Sequence, residues 1–489
     1  MKIMIDYKKI FTGCSFLFFG LAFYGCRKFV QIPPPSTQLV TASVFKSNEA
    51  VVAAQSAIYT KMWPESWNVS QEGALLSDEL TSYSKAAVPV QYYTNTVSPL
   101  TAANSIGSWT TAYSYIYQSN AIIEGLQNNK NISPAVARQH TGESKFIRAF
   151  WHFYLANWFG DVPMVLTTDY TVNKAIARTP KTLVYQQIIA DLKDAEANLT
   201  DHYVDLSDTT VTPERTRPNK YAAAALLARV YLYDQQFQNA ETEASTVINN
   251  ASLYSLCSNL SVADGDNYTF QANSTEAIWQ IATPVPSAYN TPDGEDFYLR
   301  TTPGKGSFNS ATLSADLFGS FEPNDRRFSE WVGLYTAPNK TKYYFPYKYH
   351  SYNQPVSGSS SSATEYVMVL RLAEQYLIRA EARAQQNNLS GAVSDLNVIR
   401  SRAGLPALSS SLSQAQALAA VMQERRVELF AEWGHRWFDL IRTGNINTVM
   451  SIAAPLKGGS WNNNGNQALL PVPESEILND DHLTQNPGY

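Results

Sequence analysis

Two stretches of this chain mix flat aromatic side chains with short polar ones. Residues 78–95 carry Tyr83, Tyr92, Tyr93 and Asn95, and residues 290–300 carry Asp293, Tyr298 and Arg300, with Tyr289 directly before them. Trp331 and Tyr335 make a third, smaller group. Aromatic planes stack on the C–H faces of a sugar ring while Asn, Asp and Arg bond its hydroxyl edge, so the mixture suits an oligosaccharide. It also suits an extended peptide held through backbone hydrogen bonds. Tyr and Trp fill cores and interfaces as well, so each aromatic carries a packing reading beside the binding one. Trp109, Trp151, Trp158, Trp433 and Trp437 lie on helical patterns and are expected to pack.

Catalytic chemistry finds less support. Glycoside hydrolysis needs two carboxylates ~5 to 10 Å apart across an aromatic cleft. Asp78 or Glu79 with Asp293, Glu295 or Asp296 are the candidates. Among His140, His152, His202, His350, His435 and His482 no two have metal-ligand spacing, and HExxH, Gly-x-Ser-x-Gly, Walker and dinucleotide patterns are absent. No catalytic residue, metal or cofactor is therefore expected. The charged clusters Arg371, Glu374, Arg379, Glu381 and Glu424, Arg425, Arg426, Glu428 share helical spacing and read as paired structural charges.

The whole chain bounds these options. Charged residues are 16 % of the 489 and aromatics 12 %, with 29 tyrosines; a net charge of -5 gives no basic footprint for nucleic acid. At the N-terminus Lys2, Lys8 and Lys9 precede an apolar run from Ile10 to Tyr24, then Gly25-Cys26. A positive segment, a short apolar core and a small residue before Cys predict an export signal over 1–25 with lipid attachment at Cys26. Arg27 to Ser36, with Pro33, Pro34 and Pro35, predicts an extended tether within 26–42. Cys257 is then the lone cysteine of the mature chain and reads as a small hydrophobe.

The elements that must position the aromatics are helical. Periodic apolar residues predict helices over 43–61, 109–127, 143–159 and 183–199, whereas 63–99 lacks a regular period. Residues 366–404 read as a helical hairpin, with Val369, Leu372, Ala373, Tyr376, Leu377, Ala380 and Ala384 on its first face. A second copy spans 219–250: setting Ala228 on Ala380 puts Phe237 on Leu389, Ala240 on Ala392, Ala244 on Leu396 and Val247 on Ile399 without a gap. Small residues at the crossing and a length of ~34 residues are the pattern of a tetratricopeptide-type unit. Residues 415–433 and 435–442 form a further helical pair broken at Gly434.

Between the hairpins, residues 253–363 turn rich in Pro, Gly, Ser, Thr and Asn, with a short strand at 276–282. Long irregular segments inside a compact protein tend to be functional. The expected architecture is an all-α, tetratricopeptide-like scaffold over 43–252 and 364–489, carrying an irregular, loop-rich binding insertion over 253–363.

Several segments together resemble the SusD/RagB family of Bacteroidota outer-membrane lipoproteins. They are CRKFVQIPPP at 26–35, GESKFIRAFWHFYLANWFGDVPMV at 142–165, RPNKYAAAALLARVYLY at 217–233 and LRLAEQYLIRAEA at 370–382. LNVIRSRAGLP at 396–406, ERRVELFAEWGHRWFDLIRTG at 424–444, LLPVPESEI and the closing QNPGY complete the set. The resemblance implies four tetratricopeptide-like units, a lipid-anchored protein at the cell surface, non-catalytic capture of a glycan, and a SusC-like TonB-dependent transporter as partner. Relatives associated with peptide uptake keep the peptide reading open. Members displayed at the cell face often carry acidic residues after the lipid Cys, whereas Arg27-Lys28-Phe29-Val30-Gln31 has none.

Overall fold

Helix α5 (Pro134–Phe159) shows how local sequence sets the frame. Ser133 caps it by accepting the Val136 N–H at 3.4 Å, and Pro134 opens it where no N–H is needed. From Phe146 to Phe159 all fourteen residues are buried. Trp151 stacks on Tyr115 of α4 (Trp109–Leu126) at 5.0 Å, and Phe150 meets Trp279 and Trp433 edge-on. All five tryptophans expected to pack are buried.

The computed structural model describes residues 45–100, 109–304, 310–352, 355–356, 363–462 and 464–489. The expected leader 1–25, the expected lipid site Cys26 and the expected tether 26–42 lie outside the described residues. The remaining helices are α1 (Asn48–Met62), α2 (Glu65–Leu76), α3 (Ala87–Tyr93), α6 (Lys181–Asn198), α7 (Lys220–Tyr233), α8 (Phe237–Ile248), α9 (Pro292–Phe297), α10 (Ala315–Gly319) and α11 (Arg326–Trp331). They continue as α12 (Leu372–Gln385), α13 (Leu389–Arg402), α14 (Gln414–Glu428), α15 (His435–Arg442) and α16 (Ile446–Leu456), beside two single-turn helices at Tyr170–Asn173 and Glu474–Asn479. Among the described residues six short strands form three antiparallel pairs: β1 (Leu80–Ser82) with β3 (Ala311–Leu313), β2 (Ala277–Ile281) with β6 (Val367–Arg371), and β4 (Val332–Thr336) with β5 (Lys342–Pro346). The fold is all-α in character, with consecutive helices packed in pairs.

The internal repeat is borne out in detail. Its first helix runs over 220–233 in one copy and 372–385 in the other, and the second helix opens at Phe237 and at Leu389, a constant offset of 152 residues. The turn between them uses a left-handed residue at the same place, Gln235 (φ 58°) and Asn387 (φ 62°). Ala228, Ala240, Ala244, Ala380 and Ala392 are fully buried, so backbones approach closely and α8 packs on α12. Arg229 on α7 reaches across to Glu374 on α12 (Nε to Oε1, 2.7 Å).

Three sequence expectations are corrected. Residues 367–371 form strand β6, not the first turn of a helix, because a fully buried apolar run satisfies either period. The segment 63–99 contains α2, whose buried face is mostly polar or small (Glu65, Ser66, Ser70, Glu72, Gly73) and so shows no apolar stripe. Gly73 is needed there, since a Cβ on it would lie 2.4 Å from Gly434 Cα. Helix α14 stops at Glu428 rather than continuing to Trp433. The freed Glu428 carbonyl accepts from Arg371 Nη2 and from Lys348 Nζ, both at 2.8 Å, and Gly434 turns the chain at φ 72°.

That stop is part of a buried ionic junction joining the irregular segment to the helices. Arg371 on β6 reaches Glu428 (2.5 Å), Glu276 (3.1 Å) and Glu432 (2.9 Å), while Arg402 on α13 pairs with Glu276 and Glu428. Arg327 on α11 adds Asp325, Glu424 and Glu428. The charged clusters are thus structural, as their spacing predicts. Cys257 is buried, and burial pushes its thiol up to about 11.

Candidate functional site

Helix α9 sets the site. Thr291 caps it through its Oγ1, which accepts the Gly294 N–H at 3.1 Å, and Pro292 follows at the first helical position. Its inner side locks onto α2: Ser66 Oγ donates to Asp293 Oδ2 at 2.5 Å, and Phe297 meets Trp67 edge-on at 4.7 Å. The outer side leaves Glu295 and Asp296 half-buried and delivers Tyr298 and Arg300 toward solvent.

Tyr298 lies flat on Tyr352, with ring centroids 3.5 Å apart and planes 12° apart. Tyr347 stands 5.6 Å from Tyr298 and 4.0 Å from the His350 ring. The Arg300 guanidinium sits 5.7 Å over Tyr352 and grips both oxygens of Glu295, Nη1 donating to Oε1 at 2.9 Å. The Tyr352 hydroxyl beside it, then burial, push the Tyr298 phenol up to about 12, so it is a neutral donor at any physiological pH.

Buried polar groups hold these loops together. Asn290 Nδ2 donates to the Ser351 carbonyl (3.3 Å), and its Oδ1 accepts from Thr364 N (2.7 Å), tying Tyr289 to the loop that bears Tyr352. Glu365 accepts the N–H groups of His350 and Ser351, both at 2.8 Å. Tyr289 stacks on Trp63 at 5.4 Å, and burial, then the charges of Asp296 and Glu295, raise its phenol. Aromatic planes, a carboxylate pair and a guanidinium therefore share one surface.

Strand β5 extends this surface. Phe345 meets Tyr298 and Tyr347, and Tyr343 on the same side of the strand meets Tyr83 edge-on at 5.8 Å. Gly333, opposite Phe345 on β4, makes room for it, since a Cβ there would fall 2.3 Å from the ring. Tyr93 lies near Tyr83, with Lys457 Nζ 5.4 Å from its ring.

Of the residues expected to bind, Tyr83, Tyr93, Tyr289, Tyr298 and Arg300 reach the surface, and Tyr83 is 37 % exposed. Tyr92, Asn95 and Asp293 do not, which corrects the expectation for them. Tyr92 is 1 % exposed with its hydroxyl toward Glu72, Asn95 Nδ2 donates to the Leu76 carbonyl at 2.9 Å, and Asp293 is held under Ser66. Trp331 is fully buried, its Nε1 donating to the Leu260 carbonyl at 2.9 Å, and Tyr335 pairs across the strand with Tyr343. Sequence reasoning did not select Tyr343, Tyr347, His350, Tyr352 or Trp63 as site residues. The dense run KYYFPYKYHSY at 342–352 was the signal for the first four.

The carboxylates considered for hydrolysis are dispersed. Asp78 is clamped by Arg426 (2.8 Å) and Arg436 (2.7 Å), and Glu79 accepts the Ala431 N–H in the interior. Glu295 and Asp296 alone of the five reach the aromatic surface. A separate cleft of about 710 Å³, lined by Leu232, Phe237, Met422, Arg426 and Arg442 among others, shares no lining residue with that surface.

The fold is a helical-repeat scaffold of tetratricopeptide-like type that presents an aromatic and polar surface. Comparison with known proteins then names its kin: residues 335–489 match the SusD family, and residues 28–232 match a SusD-like family described as starch-binding associating with outer membrane. The chain belongs to the SusD/RagB family. SusD-like protein P2 of Formosa agariphila is 28 % identical over 423 residues, 78 % of this chain and 80 % of that one. Starch-binding protein SusD of Bacteroides thetaiotaomicron is 32 % identical over 144 residues, 29 % of this chain and 24 % of that one. In fold, a SusD superfamily protein from Bacteroides vulgatus superposes with a TM-score of 0.74 at 20 % identity, covering 91 % of this chain and 100 % of that one. A laminarin-binding SusD-like protein superposes at 0.67 and 23 % identity, with the same coverage.

Proposed function

We propose that this protein is a non-catalytic glycan-binding lipoprotein, exported by the signal 1–25, lipidated at Cys26 and facing outward from the outer membrane. It captures an oligosaccharide and delivers it to a SusC-like TonB-dependent transporter. The helical parts 43–252 and 364–489 act as the frame, and the segment 253–363 carries most of the binding residues. The observation that carries the reading is the flat Tyr298–Tyr352 stack, flanked by Tyr347, the Arg300–Glu295 pair and Asp296. Such a surface offers planes for C–H faces and charged edges for hydroxyls. Membership of a family described as starch-binding and outer-membrane-associated supports it, as does the laminarin-binding relative.

The reading as a hydrolase draws less support, because Asp78, Glu79 and Asp293 are committed inside the protein and Glu295 to Arg300, which leaves Asp296 of the five candidates. Calorimetric titration of the mature protein against oligosaccharides and against peptides is the test: heat with a glycan supports the proposal, whereas heat with peptides alone replaces it with peptide capture. Loss of radiolabelled palmitate on Cys26→Ser checks the anchor. Co-purification with a co-expressed channel checks the partner, and its failure would remove the delivery step.

A further inference from the structure

Resting on that reading, the charges around the tyrosine stack narrow the kind of glycan. Arg300, the cation beside the Tyr298–Tyr352 stack, is already gripped by both oxygens of Glu295. Burial lowers the pKa of His350, and its Nε2 lies 3.0 Å from the Glu330 carbonyl. Lys348, next to Tyr347, points the other way into the ionic junction, where Nζ donates to the Glu428 carbonyl and pairs with Glu432.

Asp296 is the group left open. Its carboxylate makes no hydrogen bond among the described residues. The like charges of Glu295 and Asp293 and the counter-charge of Arg300 act on it. A sugar hydroxyl arriving there donates to a waiting acceptor. A carboxylate or sulfate meets an acceptor without a proton to share, next to a guanidinium already neutralised.

We infer that this surface selects uncharged glycans and turns away uronic-acid and sulfated ones, with Asp296 setting the preference. Burial, then Glu295 and Asp293, push Asp296 up to about 7, so the exclusion strengthens as pH rises through that value.

The test titrates the mature protein by calorimetry against neutral oligosaccharides (β-glucan, α-glucan, mannan and xylan hexamers) and against hexagalacturonate, at pH 5.5 and pH 8. At pH 8 at least one neutral hexamer should bind ~tenfold or more tightly than hexagalacturonate. The gap should shrink to within ~threefold at pH 5.5, where Asp296 is protonated and the uronates are still ionised, and equally in Asp296→Asn at pH 8. Circular dichroism verifies that the variant folds. Hexagalacturonate binding as tightly as the best neutral hexamer, or a gap that Asp296→Asn leaves unchanged, overturns the inference. Binding of none of these glycans, with binding of a peptide instead, overturns the underlying reading and the inference with it.

Discussion

Arginines and carboxylates occur in two parts of this protein at opposite degrees of completion. At the ionic junction Arg371 uses Nε, Nη1 and Nη2 on Glu432, Glu276 and Glu428 and on the Glu428 carbonyl, all of it buried. At the aromatic surface Arg300 is exposed in a single pair, Asp296 accepts no hydrogen bond among the described residues, and Tyr298 and Tyr352 are half-buried against each other. A group whose every bond is made inside the protein serves the fold, because removing its partner strands a buried charge. A group with open bonding capacity is available to a ligand, and at Asp296 the fold bears the cost, since burial pushes its carboxyl up to about 7.

The largest test breaks the junction. Arg371→Met leaves Glu276, Glu428 and Glu432 facing one another in the interior, and should cost ~3 to 5 kcal/mol of unfolding free energy by urea denaturation. A loss under ~1 kcal/mol would mean that the junction does not hold the irregular segment to the helices.

Acid probes the same contrast without mutation. Burial would raise Glu428, but Arg402, Arg371 and Arg327 outweigh it and hold the carboxyl well below the usual range; Glu432 and Asp439 are lowered by their own cations against burial. Their contribution is complete above the unfolded value of ~4.5 and is lost as pH falls through the folded one. Carboxyls without a cation behave oppositely. Burial raises Asp293 to about 6 and Glu79 and Glu365 to about 7, so these gain stability as pH drops from 7 toward 4.5. Burial lowers His152 to about 3 and depresses His350 and His435, which lose stability below ~6.5. The two trends oppose, so the thermal midpoint should move little between pH 7 and 5 and collapse below pH ~4. A midpoint declining steadily from pH 7 would deny the junction its role.

At the aromatic surface the expected effect moves from stability to binding. Tyr298→Ala should weaken glycan binding by ~1 to 2 kcal/mol and leave the thermal midpoint nearly unchanged. If it lowers the midpoint by several degrees instead, Tyr298 belongs with the packed aromatics and the contrast between the two regions fails.

How far this contrast can be read from sequence depends on the range of the interaction. The repeat is legible because small residues and turn positions recur at a fixed offset, from Ala228 and Gln235 to Ala380 and Asn387. The paired charges are legible as helical spacing, though their partners are not: Arg371 finds Glu276 from 95 residues away. At the site, Tyr92 and Tyr93 look equivalent, but successive residues on a helix point ~100° apart, and α3 turns the first inward. Asp293 and Asp296 lie one turn apart on α9, and only Asp293 meets Ser66. Tyr352 joins Tyr298 through the Asn290 and Glu365 hydrogen bonds, and no local pattern encodes that meeting.

The smallest expected effect asks how far the surface extends. Tyr343 on β5 and Tyr347, just past its end, are four residues apart in extended chain, ~13 Å at strand spacing, so the Tyr83–Tyr343 pair lies beyond the reach of a short ligand seated on Tyr298. Tyr83→Ala should therefore leave the affinity for a disaccharide unchanged and weaken a hexasaccharide by ~0.5 to 1 kcal/mol. Equal losses for both lengths would place Tyr83 in the same subsite as Tyr298. No loss at either length would confine the open surface to the Tyr298–Tyr352 stack and return Tyr83 to the scaffold, with the packed tyrosines it resembles in sequence.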